Sequence, residues 1–415
     1  MIGKGSLAIL FFVFVSNYLF AQDTIRAESE TKYNFIKDQQ NEIANSAMLS
    51  VFFEKLYQLK KKNKGTVNIV HIGDSHIQAD LLTHTVRQLL QKQFGNAGRG
   101  FIFPGRIART NEPQNIYTSS DANWEAKRIV FADQPLPIGL GASTVRTVQP
   151  DAKFVIRTID SPPLNYSFDA VSLFYQKDFT SFNLILKDSV GHSLAYAGPF
   201  TSETYPNFST VMLPYPVHQI EFQTSQPTSN QNQFTLFGLS LTKNNPGVLY
   251  HSIGGNGAKF KNYLDAQFFF EQTRSLDPDL FIISLGTNEA MEYPYIDKQF
   301  LEQADIFVKR LKQSSPDALF IITTPADFYR KRTRRNPGVE LIHTQLIQFA
   351  DKNNLACWDL YKATGGKHSA DHWKKNNLLQ SDGIHSTRAG YELQGNLLYQ
   401  ALIKGYNEYV RYRYP

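Results

Sequence analysis

The apolar pattern of this chain changes character twice, and that change limits the folds open to it more than any other feature. A β-branched run, Val67-Asn68-Ile69-Val70-His71-Ile72, stops at Gly73, after which Ile77, Leu81, Leu82, Val86, Leu89, Leu90 and Phe94 recur at helical spacing. From Gly100 to Pro246 the helical period disappears. Short β-rich runs replace it, at 153–157, 170–175, 182–186, 210–213, 219–222 and 234–239, separated by Pro, Asn, Ser and Gly clusters. From Gly247 the first pattern returns, with strand-like runs at Val248–Ile253, Leu280–Leu285, Leu319–Thr323 and Leu355–Trp358 and helical stretches between them. A last helix is predicted from about Thr387 to Lys404. Strands alternating with helices imply a parallel sheet covered on both faces, with ligands bound at its carboxyl edge. The expectation is an α/β domain in two parts, residues 22–99 and 247–415, around an all-β sandwich inserted at 100–246.

A chain of 415 residues, 42% of them hydrophobic, is long enough for two domains with packed cores. Its net charge of +6 is a modest excess, compatible with anionic surfaces. Nucleic acid is excluded as a partner, because no basic stripe coincides with a base-stacking module. At the N-terminus Lys4, the apolar run Leu7–Val15 and the small residue Ala21 read as a secretory signal peptide over residues 1–21, with an uncleaved anchor as the alternative. That run is too short for a comfortable span, so no stable membrane span is expected after cleavage, and the protein is expected to be exported, periplasmic or extracellular. The only cysteine, Cys357, allows no intrachain disulfide and reads as an inert core residue. Residues Gln22 to about Asn45 are polar and predict an extended or loosely packed lead-in before a helix at Ala47–Leu59. Nothing in the sequence specifies an oligomeric state.

Chemistry concentrates in four blocks: Gly73-Asp74-Ser75-His76, Gly254-Gly255-Asn256-Gly257-Ala258, Gly286-Thr287-Asn288-Glu289 and Asp382-Gly383-Ile384-His385. The first three follow predicted strands and the last precedes the C-terminal helix. Each alone has a plainer reading: Asp74 or Ser75 as a helix cap, Asn288 bonding its own loop, Asp382 capping the last helix beside a surface His385. Together and in this order they resemble the SGNH (GDSL-type) hydrolases, whose markers are Ser, Gly, Asn and His. The resemblance implies a flavodoxin-like, three-layer α/β/α domain with a parallel sheet. It implies Ser75 as nucleophile, His385 as its general base and Asp382 as the carboxylate orienting the imidazole, since a serine hydroxyl is a poor nucleophile until a base takes its proton. The oxyanion hole would comprise the Ser75 N–H, a glycine N–H and the Asn288 amide. Gly254, Gly255 and Gly257 compete for the glycine role; Gly257 is favoured because it ends the family-like Gly-x-Asn-Gly pattern. No cofactor and no metal are implied.

Gly-Asp-Ser-His followed by a β insert is similar to the peptidoglycan O-acetylesterase branch, whose members carry a carbohydrate-binding-like sandwich or jelly-roll between the first two blocks. The function expected from this resemblance is removal of O-acetyl groups from a cell-wall or other polysaccharide, peptidoglycan first among them, through an acyl-enzyme on Ser75. The alternatives are an O-acetyltransferase using the same acyl-enzyme and a non-catalytic carbohydrate-binding protein. Substrate-binding residues are not assigned. The run Arg330-Lys331-Arg332-Thr333-Arg334-Arg335 reads as a solvated loop, or else as a contact for an anionic glycan or its stem-peptide carboxylates. His368, Asp371 and His372 lack the further ligands that a metal site needs.

Overall fold

The computed structural model describes residues 24–26, 32–131, 135–199 and 207–415. The signal peptide expected at 1–21 lies outside them. A six-stranded sheet runs in the order Ile43–Ala44, Ala356–Trp358, Leu319–Thr323, Leu280–Ser284, Thr66–Gly73, Gly247–Gly254. The last five are mutually parallel. Numbered along the chain they lie 2-1-3-4-5 across the sheet, the flavodoxin-like doubly wound order. Ile69, Val70, Ile72 and Leu280–Ile283 are buried on both faces, which is why these strands read as unbroken apolar runs and not as alternating ones. One face is covered by the helices Ser50–Lys62, Leu81–Phe94 and Arg388–Arg413, through Phe52, Leu56, Val86, Leu90, Leu398 and Leu402. Phe307 and Leu311 of Phe300–Ser314, with Ile342 and Leu346 of Pro337–Lys352, cover the other.

Two expectations are corrected here. The described part of the lead-in is not loosely packed: Ile25, Phe35, Ile36 and Ile43 are buried, and Ile43–Ala44 pairs antiparallel with Ala356–Trp358. A few apolar residues in a polar stretch are enough to cover a sheet edge that would otherwise stay open. Second, the helix expected to run unbroken from Ile77 to Phe94 is two helices, Ser75–Gln78 and Leu81–Phe94. Asp80 between them is left-handed (φ 54°), its carboxylate caught by the buried guanidinium groups of Arg87 and Arg99. The basic run, which the sequence leaves open between a solvated loop and a glycan contact, forms a small hairpin, Tyr329–Arg330 paired with Arg334–Arg335, with residues 331–335 exposed.

The insert folds as two antiparallel sheets. One orders Ser193–Ala197, Asn183–Lys187, Gln219–Ser225, Lys153–Thr158 and Ile116–Ser120; the other orders Phe208–Val217, Phe168–Tyr175, Phe234–Thr242, Ser143–Thr147 and Glu125–Arg128, with Gly98–Ile102 also paired to Phe234–Thr242. Phe154, Ile156, Leu173, Leu184, Phe222, Leu236 and Leu239 fill the space between them. Phe101, Phe174 and Phe237 continue into the same apolar cluster as Phe269 and Phe281, so the insert is packed onto the α/β part. Cys357 is buried, and burial pushes its thiol up to about 12, which leaves it unreactive at neutral pH.

Candidate active site

In a 2-1-3-4-5 sheet the strand order reverses between the first and third strands, and their carboxyl ends open a crevice there. Those ends are Gly73 and Ser284, which are paired in register. The chain turns sharply out of the first strand because position 73 is glycine. A Cβ there would lie 2.3 Å from Ile77 Cγ1 and 2.8 Å from the Ser284 carbonyl oxygen. The Asp74 carboxylate accepts the His76 N–H at 2.9 Å and so fixes the turn. Ser75 then begins a single helical turn, and its own N–H has no acceptor among the described residues. With only one turn behind it, that N–H is the available donor, and no long helix adds its dipole.

Ser75 Oγ lies 2.8 Å from His385 Nε2, although the two are 310 residues apart in sequence. His385 Nδ1 lies 2.6 Å from Asp382 Oδ2. The other oxygen of Asp382 accepts the N–H groups of Ile384 (2.8 Å) and His385 (3.0 Å). Burial pushes the Asp382 carboxyl up, but these bonds, led by that from His385, outweigh it and hold the group below its ordinary range. It therefore stays ionised at neutral pH and holds the imidazole with Nε2 facing the hydroxyl.

On the opposite side, Gly254 ends its strand and Gly255 donates its N–H to the Gly73 carbonyl at 3.2 Å. Gly257 has φ +79° and an N–H with no acceptor among the described residues. Asn288 is present but committed: Nδ2 donates to the Ala258 carbonyl at 3.0 Å and to Asp74 Oδ2 at 3.3 Å. It ties the first three motif blocks to one another.

Three neighbours, His76, Tyr391 and Glu289, are given no role by the sequence. The His76 ring packs 5.1 Å from that of His385 and takes a 2.9 Å hydrogen bond with the Tyr391 hydroxyl at Nδ1. Burial lowers the pKa of His76, and His385 adds to that. His76 is thus a neutral wall behind the catalytic-type imidazole. The only sequence signal for Tyr391 is its place on the helix that follows His385. Glu289, beside Asn288, is buried, accepts the Phe260 N–H at 3.1 Å and is pushed up to about 7, chiefly by burial. Because the folded protein holds this proton more tightly than the unfolded chain, Glu289 costs stability as pH rises from about 4.5 to about 7, and the full cost remains above that. Glu289→Gln is expected to flatten this part of the pH–stability curve, raising the melting temperature at pH 8 relative to that at pH 5. Parallel curves for the two proteins in thermal denaturation would count against it.

Among the described residues no three histidine, cysteine or carboxylate side chains converge on a metal-sized site. Asp371 instead holds Tyr329 and Arg335, and His372 stacks on Phe35 at 5.3 Å.

Comparison with known proteins agrees with this geometry. The model of the GDSL-like lipase/acylhydrolase family matches residues 223–393. That span contains Gly257, Asn288, Asp382 and His385, while Ser75 lies ahead of it across the insert. No curated protein gives a significant match. Among solved structures, a peptidoglycan O-acetylesterase superposes with a TM-score of 0.73 at 18% identity, covering 88% of this chain and 99% of that one. A family two carbohydrate esterase from Cellvibrio japonicus gives 0.29 at 12% identity, covering 71% of this chain and 99% of that one. An acetyl xylan esterase gives 0.30 at 17%, covering 37% and 81%. Over residues 223–393, less than half of its length, the chain is similar to the GDSL-like lipase/acylhydrolase family, which supports a carboxylic ester hydrolase of the SGNH type.

Proposed function

We propose that this protein is an exported serine esterase that removes O-acetyl groups from a cell-wall polysaccharide, peptidoglycan first among them. The observation that carries the reading is the continuous path from Ser75 Oγ through His385 to Asp382, at 2.8 and 2.6 Å. In this mechanism His385 Nε2 takes the Ser75 proton as Oγ adds to the ester carbonyl. Collapse expels the sugar oxygen, which leaves with that proton, and the acetyl group stays on Ser75. Water then adds by the same route: His385 takes its proton, acetate departs and the proton returns to Oγ. The open N–H groups of Ser75 and Gly257 would receive the oxyanion. Asn288 would join them by giving up its longer bond, the one to Asp74, and keeping that to Ala258.

The substrate choice is supported by the shared two-part architecture with a peptidoglycan O-acetylesterase over nearly that protein's whole length. Export is supported by the apolar run Leu7–Val15 behind Lys4, and no helix among the described residues is long and apolar enough to cross a membrane. The deciding experiment measures acetate release from O-acetylated peptidoglycan, acetylated xylan and longer-chain esters. Preferential release from peptidoglycan is expected; preference for long acyl chains, or no acetate from any glycan, would overturn the reading. Asn288→Ala is expected to lower kcat roughly 10²–10³-fold, the usual cost of losing one oxyanion donor, with KM nearly constant. A loss confined to KM in steady-state assays would remove Asn288 from that role.

A further inference from the structure

The basic hairpin is not used by the chemistry above, yet its base is fastened to the catalytic loop. The Tyr329 N–H donates to the Gly383 carbonyl at 2.7 Å, and Gly383 lies between Asp382 and His385. The Arg332 carbonyl oxygen approaches so closely that a Cβ on Gly383 would lie 2.9 Å from it. On the far side Tyr329 and Arg335 are both anchored on Asp371. The Arg330 guanidinium lies 6.0 Å from the Tyr293 ring, just beyond the helix that carries Asn288.

What the hairpin presents is charge without counter-charge. Arg335 is paired with Asp371, whereas Arg330, Lys331, Arg332 and Arg334 have no acidic partner among the described residues. Lys331, Arg332 and Arg334 are exposed. Lys331 and Arg332 also occupy left-handed backbone (φ 47° and 69°), which asparagine or glycine adopts with less strain. A solvated turn alone gives no reason for two bulky cations there. Charges held within a Debye length of a reacting centre attract anionic groups on a bound polymer.

We propose that this hairpin is an anion-recognition element, which holds carboxylates borne by an O-acetylated glycan alongside the catalytic loop. The inference rests on the esterase reading and narrows it to charged glycans. It is tested with the full chain and the variant K331Q/R332Q on four substrates. These are O-acetylated peptidoglycan, with carboxylates on its stem peptides; O-acetylated polygalacturonate, with carboxylates on its sugar rings; neutral acetylated mannan; and 4-nitrophenyl acetate. The variant is expected to raise KM about tenfold on at least one charged polymer and to change it less than about twofold on the other two substrates. The larger effect identifies which carboxylates are held. K331E/R332E should be worse, K331R/R332K should recover the native KM, and added salt should raise the native KM more steeply than the variant's. Equal losses on all four substrates, or no change on either charged polymer, overturns the proposal. Cosedimentation separates it from the esterase reading. Ser75→Ala protein retained on peptidoglycan in a salt-sensitive way, with retention lost on adding K331Q/R332Q, supports the hairpin even where no acetate is released. Acetate release with retention indifferent to K331Q/R332Q overturns the hairpin alone.

Discussion

Ser75→Ala is expected to lower kcat on 4-nitrophenyl acetate by at least about 10⁴-fold, with the far-ultraviolet circular dichroism and the melting temperature nearly unchanged. The hydroxyl is half-buried and its one side-chain bond is that to His385, so removing it takes away the nucleophile and little else. His385→Ala should cost about as much. The double variant should be scarcely worse than either alone, because hydroxyl and imidazole act as one unit and the first loss already disables the other. Purified Ser75→Ala keeping more than about a tenth of native activity would remove the mechanism. Losses that simply multiplied in the double variant would mean that the two residues act separately.

The largest effect on stability is expected at Asp80, away from the chemistry. Arg87 and Arg99 are fully buried, and both turn their charge onto this one buried carboxylate, which also accepts the Thr83 hydroxyl at 2.6 Å. Asp80→Asn keeps a side chain that tolerates the left-handed backbone, so the substitution isolates the charge. It leaves two buried guanidinium groups uncompensated and is expected to cost on the order of 3–5 kcal/mol in urea unfolding. A cost below about 1 kcal/mol would show that the cluster is hydrated and weak. Burial pushes the Asp80 carboxyl up, but Arg87, Arg99, His84 and Thr83 outweigh that and lower its pKa. The ion pairs therefore stabilise the fold fully above the ordinary carboxylate range near pH 4, and this contribution is lost as pH falls through the lowered value. Because Arg99 also bonds Asn115 at 3.0 Å, the same substitution loosens the seat of the β insert on the α/β part.

The main strands and the marker residues could be read from the sequence because each is fixed locally. Apolar runs buried on both faces announce themselves, and Ser75, Gly257 and Asn288 each follow such a run, with His385 just ahead of a long helix. What could not be read depends on distant partners. The break at Asp80 needs Arg99, nineteen residues on, to hold the carboxylate that stabilises the left-handed turn. Strands such as Glu125–Arg128 carry mostly polar side chains at the insert's rim and offer no alternation to detect. The burial of Ile36 and Ile43 follows from an open sheet edge that exists only once Ala356–Trp358 is in place. His76 and Tyr391 meet only because the last helix folds back over the first turn. The order of the four blocks specified who meets at the rim, and tertiary packing decided what surrounds them.

The strand that ends at Gly73, two residues before Ser75, is the earliest of the five parallel strands to be synthesised, and both of its sheet neighbours, at 247–254 and 280–284, come long after it. A nascent chain therefore carries an apolar ribbon with two bare edges while the whole insert is being made, the stage at which a holding chaperone would matter most. On the proposed mechanism, hydrolytic power also arrives last: any copy that terminates before residue 385 lacks the base that Ser75 needs and is inert.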